Sequence, residues 1–440
     1  MATPIKVLVV TIPPHGHYMT IRDIARELDR RGHVVTFALC EQSTRAFAAD
    51  SSLLGGTKLL SAGPCPAYEA RDAVMRAVIA EPHNLTAIRN MMDGVSQLSR
   101  EMCDVLVPAM IAMPVGSLPD VILFDADTAC GLDLAHAFLI PAVARVGTGL
   151  RDSYTTPLYA PLYGSGLTAP VTITERLQNW MLIALSRLVI SPVVLPSLIG
   201  GNRARVVTAA DTVRGSSAAT RAIQQATSGL PHVHVSAAAS LLTAQRTAAT
   251  PELPWGGITT LYNTHFGLEY PRPTMPYEFM VGSVTDYAVE AARPVQSHVA
   301  AWLNASRETG VPVVVVSVGT LAALPSGFLD GLAVAALREA DRPLRWLWAL
   351  PAAQTHLVSP SIVDPSTAWI KAMIERATAS ATSATEDVFD SSTMPTPPQF
   401  LVVDWFPQVA VLRHEAVIAF ITHGAFSTPQ YGSIAHAMCT

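Results

Sequence analysis

Residues 5–39, IKVLVVTIPPHGHYMTIRDIARELDRRGHVVTFAL, decide the fold. Val7–Thr11 is an apolar run of the kind that forms a strand buried on both faces. Ile21, Ile24, Ala25 and Leu28 follow at helical spacing, and Arg31-Gly32-His33 places a glycine where a helix should stop. Val34–Leu39 is a second strand. Strand, helix and strand within about thirty residues make a βαβ unit, which requires a parallel sheet covered on both faces.

The pattern returns at Val121–Phe124, a strand, and at Leu132–Phe138, a helix leading to Ile140-Pro141-Ala142-Val143. Around Leu268-Glu269-Tyr270-Pro271-Arg272-Pro273 the closely spaced prolines exclude helix and mark the approach to a domain junction. Val311–Ser317 opens a second α/β unit, Leu344–Leu350 is another strand, and Leu401-Val402-Val403 resumes the sheet. Domains are expected at 1–285 and 286–440, with a low-complexity insertion at about 376–398 forming a mobile surface loop.

A chain of 440 residues, half of them hydrophobic, is long enough for two or three cores. The net charge of −5 and the isoelectric point near 6.2 leave no basic footprint, so nucleic acid is not an expected partner. Five cysteines, Cys40, Cys65, Cys103, Cys130 and Cys439, are odd in number and lack zinc-ligand spacing. They read as reduced thiols in a cytoplasmic protein. The apolar run at Val7–Val10 is shorter than a secretory signal core and reads as a strand. Met181–Gly200 is apolar, but Arg187, Pro192 and Pro196 interrupt it. It reads as a buried or surface-associated helix, with a peripheral membrane contact near 181–200 left open. No glycine-rich dinucleotide fingerprint follows the first strand and no P-loop occurs, which argues against nicotinamide, flavin and ATPase chemistry.

Pro13-Pro14-His15-Gly16-His17 lies where the first strand gives way to its helix, and Asp125 directly follows a strand. In open α/β sheets, ligands bind at such carboxyl ends. Taken alone, His17 reads first as a solvated loop histidine, and Asp125 could simply cap the next helix. At the other end of the chain stand Trp405-Phe406-Pro407-Gln408, Val411-Leu412-Arg413-His414 and Ile421-Thr422-His423-Gly424. Taken with Pro14–His17 and Arg31–Phe37, these motifs resemble the UDP-glycosyltransferase family of the GT-B fold, in which two Rossmann-like domains face each other across a cleft. Thr174–Asn179, Glu269–Pro273 and Met280-Val281-Gly282 carry further likeness to animal-type members. Thr20 stands where the family usually has proline.

The resemblance implies inverting transfer of a hexose, glucose first, from a UDP-sugar to a hydroxyl of a small lipophilic acceptor such as a sterol, a phenol or a secondary metabolite. It makes His17 the general base, because an acceptor hydroxyl must lose its proton as the glycosidic bond forms. Such help is worth about 10²–10⁴-fold. Asp125 becomes the carboxylate that orients the imidazole, with Asp127 as the alternative. Ser317, Gly319 and Thr320 are assigned to the diphosphate side of the donor, Trp405 to stacking on uracil, and Gln408 to the uracil or ribose. His423, Gly424, Ser427 and Thr428 are assigned to the phosphates at a helix N-terminus, which attracts anions without a metal. Ser427 to Gln430 is also an ordinary capping box. The family's ribose-binding glutamate maps to Gln430 or to Tyr431, depending on the anchor chosen. Ala425 stands where the family has glycine, and the Asp-Gln pair that holds the sugar hydroxyls is absent. That departure leaves a second expectation open: an incomplete second domain in an inactive chain, or in one that needs a partner chain. Neither a cofactor nor a metal is expected; the UDP-sugar is a co-substrate.

Overall fold

A computed structural model describes residues 3–12, 15–48, 56–68, 85–126, 128–138, 140–146, 172–185, 258–263, 274, 276–282, 284–285, 287–317, 331, 344–350, 355, 358–382 and 396–422. They fall into two compact units, Met1–Thr285 and Asp286–Thr440.

In the first unit seven described strands form one parallel sheet: β1 (Lys6–Val10), β2 (Val34–Leu39), β3 (Lys58–Ser61), β4 (Val121–Asp125), β5 (Ala142–Val146), β6 (Thr259–Tyr262) and β7 (Glu278–Met280). Their spatial order is β3-β2-β1-β4-β5-β6-β7, so the winding reverses between β1 and β4. Alternation along the strands divides the core in two. Leu8, Val10, Ile122, Phe124 and Ala144 point to one face, where the helices Leu85–Ala112 and Ala129–Phe138 supply Leu98, Met102, Leu106, Leu134 and Ala135. Val7, Val9, Val35, Phe37, Leu39, Leu123 and Val143 point to the other, covered by Tyr18, Ile21 and Ala25 of the helix His15–Arg30. Those spacings of three and four residues give the helix its apolar stripe.

That helix ends as its sequence predicts. Gly32 has φ of 87°, its N–H donates to the Asp29 carbonyl at 2.8 Å, and the His33 N–H donates to Leu28 at 3.1 Å. This is a Schellman closure around a residue that needs left-handed backbone. Gly131 is required for another reason. A Cβ there would fall on the Cβ of Phe124 and 2.8 Å from its Cγ, so only glycine lets the Ala129–Phe138 helix lie this close to β4.

The cysteines correct the sequence reading. Cys40, at the end of β2, is disulfide-bonded to Cys65, just beyond β3, with Cα atoms 5.7 Å apart. Cys103 and Cys130 join the two helices of the first face, with Cα atoms 5.3 Å apart. All four lie in one apolar core. Scattered positions in the chain become neighbours because β2 and β3 pair side by side and the two helices pack together. The reduced-thiol ground for a cytoplasmic location is thereby removed. Cys439 lies outside the described residues. No helix among the described residues is long and apolar enough to cross a membrane.

The second unit repeats the plan. Its described strands β8 (Val313–Ser317), β9 (Arg345–Ala349), β10 (Phe400–Val403) and β11 (Val417–Thr422) are parallel, in the order β10-β9-β8-β11. Val313, Val315, Leu347, Leu401 and Val403 face Trp302 and Leu303 of the helix Ser297–Glu308 and Trp369 of the helix Pro360–Thr382. Val314, Val316, Trp346, Trp348, Phe400 and Val402 face the other way, onto Val358 and Ile362. The low-complexity stretch is not a loop throughout. Residues 376–382 continue the helix Pro360–Thr382, because an alanine-containing run favours extending a helix already under way. Residues 383–395 lie outside the described residues.

Candidate active site

In the first unit the carboxyl ends of β1 and β4 are neighbours, and the strand order reverses between them. Such a switch point leaves a crevice, since the connections on its two sides run to opposite faces of the sheet. His17 stands in the first turn of the helix His15–Arg30, which follows β1; its side chain lies outside the described part. Asp125 is the last residue of β4. Strand alternation puts Asp125 on the same face as Leu123, which packs against the helix that carries His17. The runner-up Asp127 lies outside the described residues.

Asp125 is buried, with only 1 % of its side chain exposed, and Arg145 on β5 matches that burial. The two are register partners on adjacent strands, and Arg145 Nη1 donates to Asp125 Oδ2 at 2.7 Å. The backbone is tied on both sides of the pair. Ala126 N–H donates to the Arg145 carbonyl at 2.8 Å, and Thr128 N–H to that of Asp125 at 2.7 Å. A second buried charge pair lies along the helix His15–Arg30, where Arg22 Nε donates to Asp23 Oδ1 at 2.8 Å. Arg145 had no signal in the sequence, because an arginine in an otherwise apolar strand reads as a residue turned to solvent.

In the second unit the order reverses between β8 and β11. Ser317 ends β8, and its register partner Thr422 ends β11, directly before His423. Gln408 is the first residue of the helix Gln408–Leu412, and its Nε2 donates to Ser317 Oγ at 2.7 Å. Two residues assigned to the donor from motifs ninety-one positions apart therefore touch. Trp405 follows β10 and is 44 % exposed, unusual for a tryptophan in a unit whose Trp302, Trp346, Trp348 and Trp369 are all buried. Its carbonyl accepts Gln296 Nε2 at 2.9 Å, which fixes the backbone while the ring stays open to solvent. His414 accepts the Ala416 N–H on Nδ1 at 3.2 Å. Burial, followed by the charge of Arg307, pushes its pKa below the ordinary histidine value, so it stays neutral at pH 7. Gly319, Thr320, His423, Gly424, Ser427, Thr428, Gln430 and the alternative Tyr431 lie outside the described residues. Among the described residues no three His, Cys, Asp or Glu side chains cluster as a metal site would need.

Two wound parallel sheets, each with polar side chains at its switch point, define a GT-B α/β protein. The solved structure of Arabidopsis thaliana UGT89C1 complexed with UDP-L-rhamnose matches with a TM-score of 0.52, at 17 % identity, over 99 % of this chain and 78 % of that one. The same plant protein complexed with UDP gives 0.51 at 17 % identity, over 98 % of this chain and 78 % of that one. The family model "UDP-glucoronosyl and UDP-glucosyl transferase" matches residues 5–197 and 230–439, and the chain belongs to that family. Among curated relatives, human 2-hydroxyacylsphingosine 1-beta-galactosyltransferase is 22 % identical over 430 residues, covering 96 % of this chain. The chain spans 63 % of that relative's length. The rat protein of the same name is 24 % identical over 321 residues, 71 % of this chain and 51 % of the relative.

Proposed function

We propose that the protein transfers a hexose from a UDP-sugar to a hydroxyl of a small lipophilic acceptor, with inversion at the anomeric carbon. The observation that carries this is the Ser317–Gln408 contact at the β8–β11 switch point, close in sequence to the open ring of Trp405 and inside the family match. The 2-hydroxyacylsphingosine galactosyltransferase names of the relatives support a hexose and a lipophilic acceptor. UDP-glucose is the first donor to test and UDP-galactose the second.

In this reading the acceptor O–H gives its proton to His17 as its oxygen bonds to the anomeric carbon. The bond from that carbon to the phosphate oxygen breaks, and its electron pair leaves with UDP. Asp125 orients the imidazole and balances its developing charge. Trp405 stacks on uracil, Gln408 meets the base or ribose, and Ser317, Gly319 and Thr320 line the diphosphate. His423, Gly424, Ser427 and Thr428 hold the phosphates by hydrogen bonds and by the positive end of a helix, and Gln430 meets the ribose. The first unit takes the acceptor and the second the UDP-sugar.

Calorimetry with UDP on this chain and on Trp405→Ala tests the donor site. Base–aromatic stacking is worth about 1–3 kcal/mol, so the variant should bind roughly 5- to 150-fold more weakly. Micromolar binding lost in the variant supports the assignment. A folded chain that binds no UDP, or that turns over neither donor with lipophilic alcohols and phenols, defeats it.

A peripheral membrane contact near residues 181–200 belongs to the same reading. Its support is the helix Ile173–Leu185, capped by Thr172, whose Ile173, Leu177, Trp180, Met181 and Leu185 share one exposed face. Flotation with neutral phospholipid vesicles should carry the protein upward, and Trp180→Ser with Met181→Ser should abolish this. Wild-type protein left in the dense fraction ends the idea.

A further inference from the structure

The Asp125–Arg145 pair has a physical peculiarity. Taking two charges out of water costs several kcal/mol per ion, and a well-packed apolar pair of similar size often serves stability as well or better. Stability alone is a poor reason to bury this pair. The location supplies another reason, because the carboxylate ends β4 at the switch point, on the face covered by the helix that begins at His15.

A carboxyl group can balance an imidazolium only while it is ionised. A carboxyl removed from water favours its neutral form unless a cation or several donors hold the charge. Arginine is suited to that task because it keeps its proton at every accessible pH and presents planar donors in fixed directions. Here the guanidinium takes hold of one named oxygen, Oδ2, at 2.7 Å, and the backbone bonds at Ala126 and Thr128 fix the strand end that carries it. The carboxylate is thus held in both charge and rotation.

We propose that Arg145 is the positioning residue of the catalytic base, third in a relay that runs His17–Asp125–Arg145. It touches neither acceptor nor UDP; it acts by keeping Asp125 ionised and aimed. The inference rests on the reading in which His17 is the base and Asp125 its partner.

Steady-state kinetics with UDP-glucose and a turned-over acceptor, alongside UDP calorimetry, tests it on the full chain. Arg145→Met should lower kcat about 10- to 100-fold, part of the general-base contribution, with KM for the donor and UDP affinity within about twofold. Arg145→Lys keeps the charge but not the fork, and should recover kcat to within about tenfold of wild type. Arg145→Met leaves a buried carboxylate without its cation and is at risk of not folding. The double variant Asp125→Asn with Arg145→Met buries no charge at this place and should fold. Its kcat should equal that of Asp125→Asn alone, because Arg145 acts only through the carboxylate.

Folded Arg145→Met with wild-type kcat overturns the proposal, as does a double variant whose kcat falls well below that of Asp125→Asn. A raised KM at unchanged kcat overturns it as well, since that marks a binding role. Failure of the underlying reading looks different: Asp125→Asn keeps wild-type kcat, or the wild-type chain turns nothing over.

Discussion

Removing both disulfides of the first unit should lower its stability by about 3–4 kcal/mol for each bridge, most of what a domain of ordinary stability possesses. Each bridge closes a loop of similar size, with sequence separations of 25 and 27, and the two loops do not overlap along the chain. Their effects on the unfolded ensemble should therefore be nearly additive. Cys40–Cys65 ties the end of β2 to the segment after β3, the strand at one edge of the sheet. Cys103–Cys130 ties the helix Leu85–Ala112 to the one that follows β4, five residues beyond Asp125. Urea unfolding followed by circular dichroism, with and without a phosphine reductant, measures the total. Cys40→Ser with Cys65→Ser, and separately Cys103→Ala with Cys130→Ala, apportion it. The denatured, unreduced chain should also hide these four cysteines from a thiol reagent. Identical midpoints with and without reductant, together with five reactive thiols, Cys439 and all four of these, would show that the bridges do not form in solution.

The bridges were illegible in the sequence for the same reason that the first βαβ unit was plain. The βαβ unit is local: an apolar run, a helical stripe and a glycine stop all fall within residues 5–39, and each constrains the next. Cysteine pairing is tertiary, and an odd count of scattered residues carries no record of which strands will lie side by side. The same boundary runs through the candidate site. The position of Asp125 at the carboxyl end of a parallel strand could be read from its strand, whereas its assignment over Asp127 came from family likeness. Arg145 could not, since its pairing with Asp125 depends on register with β4 across a helix crossover. Ser317 and Gln408 were singled out by family likeness, and their contact required the reversal between β8 and β11. The short strands β6 and β7 also escaped notice, because three or four residues are too few to show a period.

Trp302→Ala should cost the second unit about 3–5 kcal/mol, the range for truncating a large buried aromatic side chain. Trp302 is wholly buried in the helix Ser297–Glu308, among Val313, Val315, Leu347, Leu401 and Phe406. The indole also does something that packing alone does not. Its Nε1–H donates to the Pro398 carbonyl at 2.9 Å, just before β10 begins at Phe400, and the Arg345 guanidinium carbon lies 6.0 Å from the ring centroid. Truncation opens a cavity and leaves that carbonyl without its donor, which adds about 1–3 kcal/mol where water does not replace the bond. Trp302→Phe keeps most of the volume and isolates the hydrogen-bond part. Denaturant midpoints should fall in the order wild type, Trp302→Phe, Trp302→Ala. An alanine variant within 1 kcal/mol of wild type would mean that the site collapses around the gap. Below the midpoint, UDP affinity should survive either change, because β10 keeps its own ladder to β9 and carries Trp405 with it. Trp405→Ala should do the reverse: an exposed ring contributes within about 0.5 kcal/mol to stability, while UDP loses its stacking surface. A tryptophan that packs the fold and one proposed to meet the ligand are thus separable by two assays. A Trp405 variant that lost stability instead of affinity would return that residue to the core.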